Sequence, residues 1–275
     1  MRLLVTGAAG MLGRDVVAAA ERAGHDVVAL ARRDLDIADA DAVRTAIADA
    51  APDAVVNCAA WTDVDGAEAD EDGATRINGA AAGNVAAAAP FVVHVSSDYV
   101  FDGSATQPYV ESDPTGPRSA YGRSKLAGEL AVAEAGVHHA IVRSSWLFGV
   151  HGRNFVATML KLASDRDEVN VVADQIGCPT FSGHLAPALV EIAEQRLGGV
   201  LHVAGGGQCS WHELAQATFE EAGVSCTANA VTTAEFPRPA PRPAWSVLKS
   251  TRPEAPVLPT WREGLTSYLK TGVLQ

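Results

Sequence analysis

Residues 1–150 alternate short apolar runs with longer segments of helical spacing, and this alternation constrains the fold more than any other feature. A short apolar run bounded by turn residues is typical of a strand buried on both faces of a sheet. Repeated strand, helix, strand units predict a parallel sheet with helices on both faces, an α/β doubly wound fold. The predicted strands are 2–7, 26–31, 53–60, 91–97 and 139–149, and the predicted helices are 11–24, 40–52, 77–89 and 121–136.

A glycine-rich turn joins the first predicted strand to the first predicted helix. The segment TGAAGMLG (6–13) carries Gly7, Gly10 and Gly13. Glycines at this spacing permit a tight turn and a close approach of the backbone to a pyrophosphate, and the helix N-terminus offers free N–H groups. A purely structural turn is the alternative. The position after a strand and before a helix favours dinucleotide binding.

The alternation becomes less regular after residue 150. We predict a Rossmann-type dinucleotide-binding domain in residues 1–150 and a smaller lobe, formed mostly by residues 151–275, that binds the substrate over the carboxyl edge of the sheet. Residues 199–223 are predicted to return to the first domain, and Ser210 with Glu213 has the spacing of a capping box. The predicted later elements are helices over 154–165 and 210–223, strands over 168–174 and 199–205, and an ordered proline-rich loop over 236–246.

Composition excludes several function classes. The chain has 21 Lys and Arg against 33 Asp and Glu, a formal net charge of −12, which argues against nucleic-acid binding. No apolar run approaches the roughly 18 residues of a membrane span, and the N-terminus reaches a glycine-rich turn too early for a signal peptide, so we expect a cytoplasmic protein without a membrane partner. The four cysteines form no CxxC pair and the eight histidines no HExxH motif, so no metal site is predicted.

Basic residues follow the second predicted strand, where the adenosine ribose of a dinucleotide is expected. The segment ALARRDLDI places Arg32 and Arg33 directly after this strand. Because guanidinium groups suit a 2′-phosphate, we expect NADPH rather than NADH, although an exposed Arg pair can be an ordinary solvated surface. Asp36 and Ile37 are placed to hold the adenine edge through a carboxylate and an apolar contact.

A phenol and an ammonium group are spaced one helical turn apart in SAYGRSKLAG (119–128). Tyr121 and Lys125 therefore share one helix face. Reduction of a ketone needs a proton donor, and a nearby ammonium is expected to lower the pKa of a tyrosine that donates it. The same lysine can hold the nicotinamide ribose. A hydroxyl that polarises the carbonyl is available in VSSDYVFDG (95–103), at the end of the fourth strand.

These motifs resemble the extended short-chain dehydrogenases/reductases and, more narrowly, the dTDP-4-dehydrorhamnose reductase family. The narrower resemblance is carried, from residue 7 to about residue 248, by the segments SSDYVFDG, YGRSK, RSSWLFG, NFVATML, DQIGCPT and RPAWSVL. It implies NAD(P)H-dependent reduction of the C4 ketone of dTDP-6-deoxy-L-lyxo-4-hexulose to dTDP-β-L-rhamnose. Each segment is modest evidence alone, and their order along the chain makes the set specific.

The resemblance implies a catalytic role for three residues. Tyr121 would be the proton donor, Lys125 its pKa-setting partner, and Ser97 the carbonyl-polarising hydroxyl, with Ser96 as the competing assignment. Asn78 would help order the proton path, unless it only caps or kinks its helix. The cofactor would be held by Gly7, Gly10, Met11, Leu12, Gly13, Arg32, Asp36, Ile37, Cys58, Ala59, Ala60, Tyr121 and Lys125.

The resemblance also implies a set of substrate contacts. Trp146 would offer an amphipathic ring to a sugar face, with a core aromatic as the alternative. Arg242 and Ser246, in the proline-rich loop, would contact the diphosphate or the nucleoside. The remaining implied contacts are Val64, Ser97, Asp98, Tyr99, Asn154, Gln175 and Thr180.

Four functional alternatives are considered. Sugar-nucleotide 4,6-dehydratases carry Glu after the matching Asp, whereas Tyr99 follows Asp98 here, which argues against dehydration. A 4-epimerase shares the Tyr–Lys pair and is disfavoured only by the RSSWLFG and DQIGCPT matches. The other readings are a reductase of another nucleotide 4-keto-6-deoxysugar and a non-catalytic dinucleotide-binding regulatory subunit of methionine adenosyltransferase. An intact set of Ser97, Tyr121 and Lys125 argues against the last.

The sequence assigns neither a metal site nor an oligomeric state. Some members of the family dimerise around Mg²⁺ through clustered carboxylates. Glu191 and Glu194 lie on a helical stretch, but a solvated acidic face explains them better. We therefore predict no metal residue and either a monomer or a homodimer.

Overall fold

The computed structural model describes residues 1–271 and contains an α/β core followed by smaller sheets. The strands are β1 (Arg2–Thr6), β2 (Asp26–Leu30), β3 (Ala54–Asn57), β4 (Val92–Ser97), β5 (His139–Ser144), β6 (Leu147–Phe148), β7 (Glu168–Val172), β8 (Ile176–Gly177), β9 (Thr180–Phe181), β10 (Gly199–His202), β11 (Cys209–Ser210) and β12 (Thr227–Val231). The helices are α1 (Met11–Arg22), α2 (Ala40–Ala50), α3 (Val64–Ala69), α4 (Glu71–Thr75), α5 (Ala81–Ala88), α6 (Ala120–Glu134), α7 (Phe155–Ala163), α8 (Ser182–Gln195), α9 (Trp211–Ala222) and α10 (Trp261–Lys270).

A six-stranded parallel sheet forms the core, in the order β10-β5-β4-β3-β1-β2. Neighbouring residues of one strand point to opposite faces, so Leu3 packs in the layer that contains α1 and α8, while Leu4 packs in the layer that contains α2, α5 and α6. Both faces are thus covered, and the predicted doubly wound α/β fold is confirmed.

The sheet order reverses direction between β1 and β3. From β1 the chain moves outward to β2 and then returns to β3 on the other side. Crossovers on the two sides of this point leave a crevice outside the carboxyl ends of the strands, and ligands of open α/β sheets bind in such a crevice. The glycine turn after β1 and the polar residues after β3 and β4 all lie at this edge.

Two predicted elements differ from the structure. The strand expected over 139–149 is interrupted after Ser144, because Trp146 has a left-handed backbone (φ 47°) that cannot continue a strand. The helix expected over 77–89 begins in a π-helical turn, Arg76–Ala80, and is α-helical only over Ala81–Ala88, with α3 and α4 before it. Asp63 and Asp70 begin α3 and α4 by accepting the N–H groups of residues 66 and 73, a local signal that the apolar spacing did not reveal.

The segments after β6 form three two-stranded sheets, β6 with β9, β7 with β12 and β8 with β11. β10 and α8 join the core sheet, whereas the proline-rich loop runs beside β8, where the Ser246 N–H donates to the Ile176 carbonyl at 2.8 Å. The predicted capping box of Ser210 and Glu213 is present at the start of α9. The assignment of residues 1–150 and 151–275 to two functional domains stays a prediction.

We expect Gly128→Ala to destabilise the fold by about 1–3 kcal/mol, the usual cost of overpacking. Gly128 lies where α6 crosses the π-helical turn, and an added Cβ would overlap the carbonyl oxygen of Asn78. Urea unfolding would measure the change. Gly116→Ala is the matched control, because its Cβ would lie at an ordinary 3.4 Å from Asp102 Cβ. Equal stability of the two variants would contradict the close crossing.

Candidate active site

A cavity of about 670 Å³ opens at the carboxyl edge of the sheet. It is lined by residues from the glycine turn, the ends of β2, β3, β4 and β5, and the first turns of α3 and α6. The structure brings 18 of the sequence-predicted site residues together on its wall: Gly7, Gly10, Met11, Leu12, Gly13, Arg32, Asp36, Ile37, Cys58, Ala59, Ala60, Val64, Ser97, Asp98, Tyr99, Tyr121, Lys125 and Trp146.

The glycine turn forms a cradle that side chains would fill. Gly7 has φ 65°, and a Cβ there would come within 2.6 Å of the Ala59 nitrogen. A Cβ on Gly13 would overlap the Gly7 carbonyl, so α1 can pack this closely on the turn only with glycine. Gly10 caps α1 without a side-chain hydrogen bond, which leaves N–H groups of the first turn without a side-chain acceptor. These features fit an anionic diphosphate at the helix N-terminus.

The two arginines after β2 differ in their surroundings. Arg32 lines the cavity together with Asp36 and Ile37. The Arg33 side chain is 87% exposed and lies beside Asp34, with 3.5 Å between Nε and Oδ1. Of these two arginines, Arg32 is therefore the one that can contact a ligand in the cavity.

Ser97, Tyr121 and Lys125 converge from two elements. Ser97 ends β4, and Ser119 caps α6 by accepting the Gly122 N–H, which puts Tyr121 and Lys125 on successive turns of that helix. The Lys125 ammonium donates to the Val95 carbonyl at 2.7 Å. The ring of Tyr99 packs edge-on against the ring of Tyr121, with 5.4 Å between centroids.

The expected lowering of the Tyr121 pKa by Lys125 is not seen. Burial and the Asp98 carboxylate raise the pKa of Tyr121 to about 12, although the Ser97 hydroxyl opposes them. Lys125 is not among the groups that shift this pKa, and its ammonium donates to the Val95 carbonyl. Burial instead lowers the pKa of Lys125 to about 8, while Glu129 and Cys58 oppose that shift. Tyr121 thus keeps its proton at neutral pH.

Asp98 is a buried carboxyl group beside Ser97. Its side chain is 2% exposed and accepts hydrogen bonds from Ser97 Oγ at 2.9 Å and Ser145 Oγ at 3.1 Å. Burial raises the pKa of Asp98 to about 6, although the hydroxyls of Ser246, Ser97 and Ser145 lower it. The competing hydroxyl, Ser96, donates to Glu129 instead, away from Tyr121.

Asn78 joins the loop after β3 to α6. Its amide accepts the Trp61 N–H at 2.8 Å, donates to the Trp61 carbonyl at 3.0 Å and donates to Ser124 Oγ at 2.9 Å. Ser124 Oγ in turn donates to the Tyr121 carbonyl. Asn78 lies in the π-helical turn and bonds both neighbouring segments from there. Its contacts are therefore those of a residue that positions the backbone around Tyr121.

Three predicted substrate residues do not line the cavity. Asn154 caps α7 and donates to the Gly149 carbonyl. Gln175 accepts from Trp211 and donates to Thr233, and Thr180 Oγ1 donates to the Cys178 carbonyl. These protein groups hold the polar atoms of the three residues outside the lining of the cavity, and their role as substrate contacts stays a prediction.

The proline-rich loop contributes two residues next to the wall. Arg242 Nη1 donates to Asp65 Oδ1 at 2.5 Å, one residue from Val64, and its charge acts on Tyr99. Ser246 is buried beside Asp98. Neither residue lines the cavity directly, so the structure places both in a layer behind Val64, Tyr99 and Asp98.

Sequence reasoning missed several wall residues. Trp61, Arg76, Arg153 and Trp211 line the same cavity. Trp211 carried a usable signal, since it follows the capping residue Ser210 at the start of α9. Arg76 and Arg153 carried none, because an isolated arginine in a polar segment has the pattern of a solvated surface residue.

The part of the chain in the structure, residues 1–271, contains no group of three His, Cys, Asp or Glu side chains arranged to hold a metal ion. Glu191 and Glu194 lie on α8, where Glu191 accepts from Gln195 and Glu194 pairs with His25. None of the helices in this part is long and apolar enough to cross a membrane.

Comparison with known proteins agrees with this geometry. Residues 1–273 match the family model described as RmlD substrate binding domain. The chain is 42% identical to the dTDP-4-dehydrorhamnose reductase of Sinorhizobium fredii, over 96% of this chain and 95% of the relative, and 44% identical to the dTDP-4-keto-6-deoxy-D-glucose reductase of Streptomyces niveus, over 81% and 79%. The Bacillus anthracis dTDP-4-dehydrorhamnose reductase, solved in complex with NADP, superposes with a TM-score of 0.95 at 36% identity, covering 98% of this chain and 99% of that one.

We expect the free energy of unfolding of the wild type, measured relative to that of Asp98→Asn, to fall as the pH rises from about 4 to about 7. The expected decrease is up to roughly 3 kcal/mol. Burial raises the pKa of Asp98 to about 6 in the folded state, so between these pH values the folded chain binds more protons than the unfolded chain. Stability therefore decreases as the carboxyl group ionises. Urea unfolding of both proteins across this range would measure the difference.

Asp102→Asn is the matched control. The Ser104 hydroxyl, the Ser104 N–H and the Tyr109 hydroxyl lower the pKa of Asp102 to about 2, so its contribution does not change above about pH 5. A difference between wild type and Asp98→Asn that stays constant or grows with pH would contradict the raised pKa.

Proposed function

Because the chain belongs to the RmlD substrate binding domain family, whose relatives include dTDP-4-dehydrorhamnose reductases, we propose that it reduces the C4 ketone of dTDP-6-deoxy-L-lyxo-4-hexulose to give dTDP-β-L-rhamnose. The observation that carries the proposal is the convergence of Ser97, Tyr121 and Lys125 on one cavity at the carboxyl edge of the sheet. A binding protein without catalysis, such as a regulatory subunit, does not need a proton donor and a hydroxyl aligned there.

The cofactor is a nicotinamide dinucleotide held along the glycine turn. Gly7, Gly10 and Gly13 leave room for its pyrophosphate at the N-terminus of α1, with Met11 and Leu12 on the same wall. Cys58, Ala59 and Ala60 line the floor after β3. Arg32 is placed for a 2′-phosphate, with Asp36 and Ile37 at the adenine, so NADPH is the preferred form and NADH the weaker one. The bound nicotinamide supplies a hydride to the ketone carbon.

Tyr121 supplies the proton. With its pKa raised to about 12, the phenol holds a proton at neutral pH and releases it only to a strongly basic oxygen, such as the one that develops at C4. Lys125, anchored to Val95, is placed to hold the nicotinamide ribose.

Ser97 polarises the substrate carbonyl. Its hydroxyl now donates to Asp98 and accepts the Tyr99 N–H. Turning this proton from Asp98 to the C4 oxygen gives the carbonyl a donor in addition to Tyr121. A serine at this position therefore needs a neighbouring acceptor that releases it, and a carboxyl group whose pKa lies close to neutral is suited to that role.

The substrate lies between the sheet edge and the segments that follow residue 150. Val64, Asp98, Tyr99 and Trp146 form its contact wall, while Arg242 and Ser246 support that wall from the proline-rich loop. We extend this proposal to two functional domains: residues 1–150 hold the cofactor, β10 returns to their sheet, and most of residues 151–275, including Trp211, hold the sugar nucleotide. Further parts of the proposal are a cytoplasmic location and a monomeric or homodimeric state.

A second candidate is reduction of another nucleotide 4-keto-6-deoxysugar. The 44% identity to the Streptomyces niveus enzyme favours it, because that relative is named for a ketosugar that has not been epimerised. The two candidates share every catalytic residue and differ only in how the hexose is held.

We expect NADPH oxidation, followed at 340 nm, with enzymatically prepared dTDP-4-keto-6-deoxyglucose only when a 3,5-epimerase is present, with dTDP-rhamnose as the product. Oxidation without the epimerase would support the second candidate. Bound dinucleotide without oxidation in either case would contradict both reductase functions.

The substitution Tyr121→Phe tests whether the reductase activity requires the candidate active site. Loss of the proton donor is expected to lower kcat by about 10²- to 10⁴-fold while the Kd for NADPH stays close to that of the wild type. Tyr109→Phe is the matched control, because its hydroxyl bonds Asp102 outside the cavity and its loss leaves kcat unchanged. Equal loss of kcat and cofactor binding in Tyr121→Phe would contradict the proton-donor role.

We expect Arg32→Ala to lower the NADPH to NADH ratio of kcat/KM by about 10- to 100-fold, the value of one charge-assisted hydrogen bond. Arg33→Ala should leave the ratio unchanged, because that side chain points to solvent beside Asp34. The ratio is measured from initial rates with both cofactors. An unchanged ratio in Arg32→Ala would show that another group recognises the 2′-phosphate.

A further inference from the structure

Two tryptophans from distant parts of the sequence stack face to face in the cavity wall. The ring centroids of Trp146 and Trp211 lie 3.5 Å apart, with 2° between the ring planes. Both rings line the cavity beside the catalytic residues. One face of the Trp146 indole is thus covered by Trp211, and a ligand can meet only the part of the ring that lines the cavity.

Trp211 is fixed by contacts behind the cavity. Its Nε1–H donates to Gln175 Oε1 at 3.1 Å, and Gln175 Nε2 donates to Thr233 Oγ1 at 3.0 Å. Thr233 Oγ1 donates to Asp174 at 2.6 Å, which completes the chain of hydrogen bonds. Phe155, the first residue of α7, packs against the same indole at 4.6 Å between centroids. Each hydrogen bond in the chain fixes the next side chain, so the indole of Trp211 has one orientation.

Trp146 is held from its backbone side. Its φ of 47° is unusual for a bulky residue, and such conformations persist when surrounding contacts enforce them. The Thr180 N–H donates to the Trp146 carbonyl at 3.2 Å, and the preceding Ser145 bonds Asp98. A Cβ on Gly177 would come within 2.6 Å of Trp146 Nε1, so only glycine leaves room for the indole.

We propose that Trp211 is a positioning residue for sugar recognition: its indole, held by Gln175 and Phe155, fixes the ring of Trp146 in the orientation that contacts the hexose of the nucleotide sugar. The inference rests on the proposed function, because it assigns the wall on which that substrate's ring packs. A 6-deoxyhexose has an apolar methyl group and ring C–H groups, and a rigid aromatic surface suits such a face. Gln175, Thr180 and Asn154 then serve recognition through the tryptophan pair rather than by touching the sugar.

A double-mutant cycle on KM for the nucleotide sugar tests the proposal. Trp211→Ala should raise KM about tenfold, in line with the loss of an aromatic pair, while the Kd for NADPH stays unchanged. In the Trp146→Ala background the same substitution should change KM by less than about twofold, because a residue that acts through Trp146 has nothing left to position. Full additivity would overturn the proposal in favour of direct contact between Trp211 and the sugar.

Conservative variants separate positioning from general support of the fold. Trp211→Phe keeps a stacking ring and should recover most of the wild-type KM, whereas Gln175→Met removes the acceptor of Trp211 and should raise KM about threefold at unchanged kcat. Unchanged KM in both Trp211→Ala and Gln175→Met, or equal loss of NADPH binding and sugar binding, would overturn the inference. Failure of the proposed function is distinguishable, because in that case the wild type itself does not oxidise NADPH with the ketosugar.

Discussion

Burial of the Asp98 carboxyl group holds the candidate active site together. Four segments supply its surroundings: the end of β4, the residue after β5, the proline-rich loop and the first turn of α6. A buried carboxyl group without donors is strongly unfavourable, and here the hydroxyls of Ser97 and Ser145 donate to it. Ser145, which donates to this carboxyl group, directly precedes the left-handed Trp146. The same carboxylate raises the pKa of Tyr121. One desolvated group thus binds the hydroxyls of Ser97 and Ser145 and shifts the pKa of the Tyr121 phenol.

A second buried charge system lies beneath Lys125. Glu129, one turn further along α6, receives two hydrogen bonds from the Arg143 guanidinium, at 2.9 and 2.7 Å, and one from Ser96. The Glu129 and Arg143 side chains are only 5–6% exposed, and a buried pair with satisfied partners is costly to break. Glu129 opposes the lowering of the Lys125 pKa by burial, so the lysine keeps more of its charge near neutral pH. The pKa and position of the Lys125 ammonium are thus affected by Glu129 and Val95, whereas the pKa of the Tyr121 phenol is affected by Asp98 and Ser97.

Features set by local sequence could be predicted, and features set by distant contacts could not. The glycine turn, the strand and helix alternation and the Tyr121–Lys125 spacing follow from backbone sterics and from periodicity within one element. The direction of the Lys125 ammonium depends on a carbonyl of β4, 30 residues earlier. The left-handed backbone of Trp146 is held by a hydrogen bond from the Thr180 N–H to its carbonyl. The stacking of Trp146 on Trp211 likewise joins residues that are far apart in the sequence. No periodic pattern encodes such contacts.

The polar residues of the DQIGCPT segment show what a resemblance in sequence leaves open, namely which partners each side chain binds. Gln175 and Thr180 are 6% and 0% exposed, and their side-chain groups already bond protein atoms. A buried amide or hydroxyl that has found its partners gains little by exchanging them for a ligand. Because their hydrogen bonds are satisfied, such residues can hold neighbouring side chains in place. Each hydrogen bond restricts the rotation of the side chain to which it is made. In this segment Gln175 accepts from the Trp211 indole and the Thr180 N–H donates to the Trp146 carbonyl, so its satisfied hydrogen bonds support the proposed orientation of the two stacked rings.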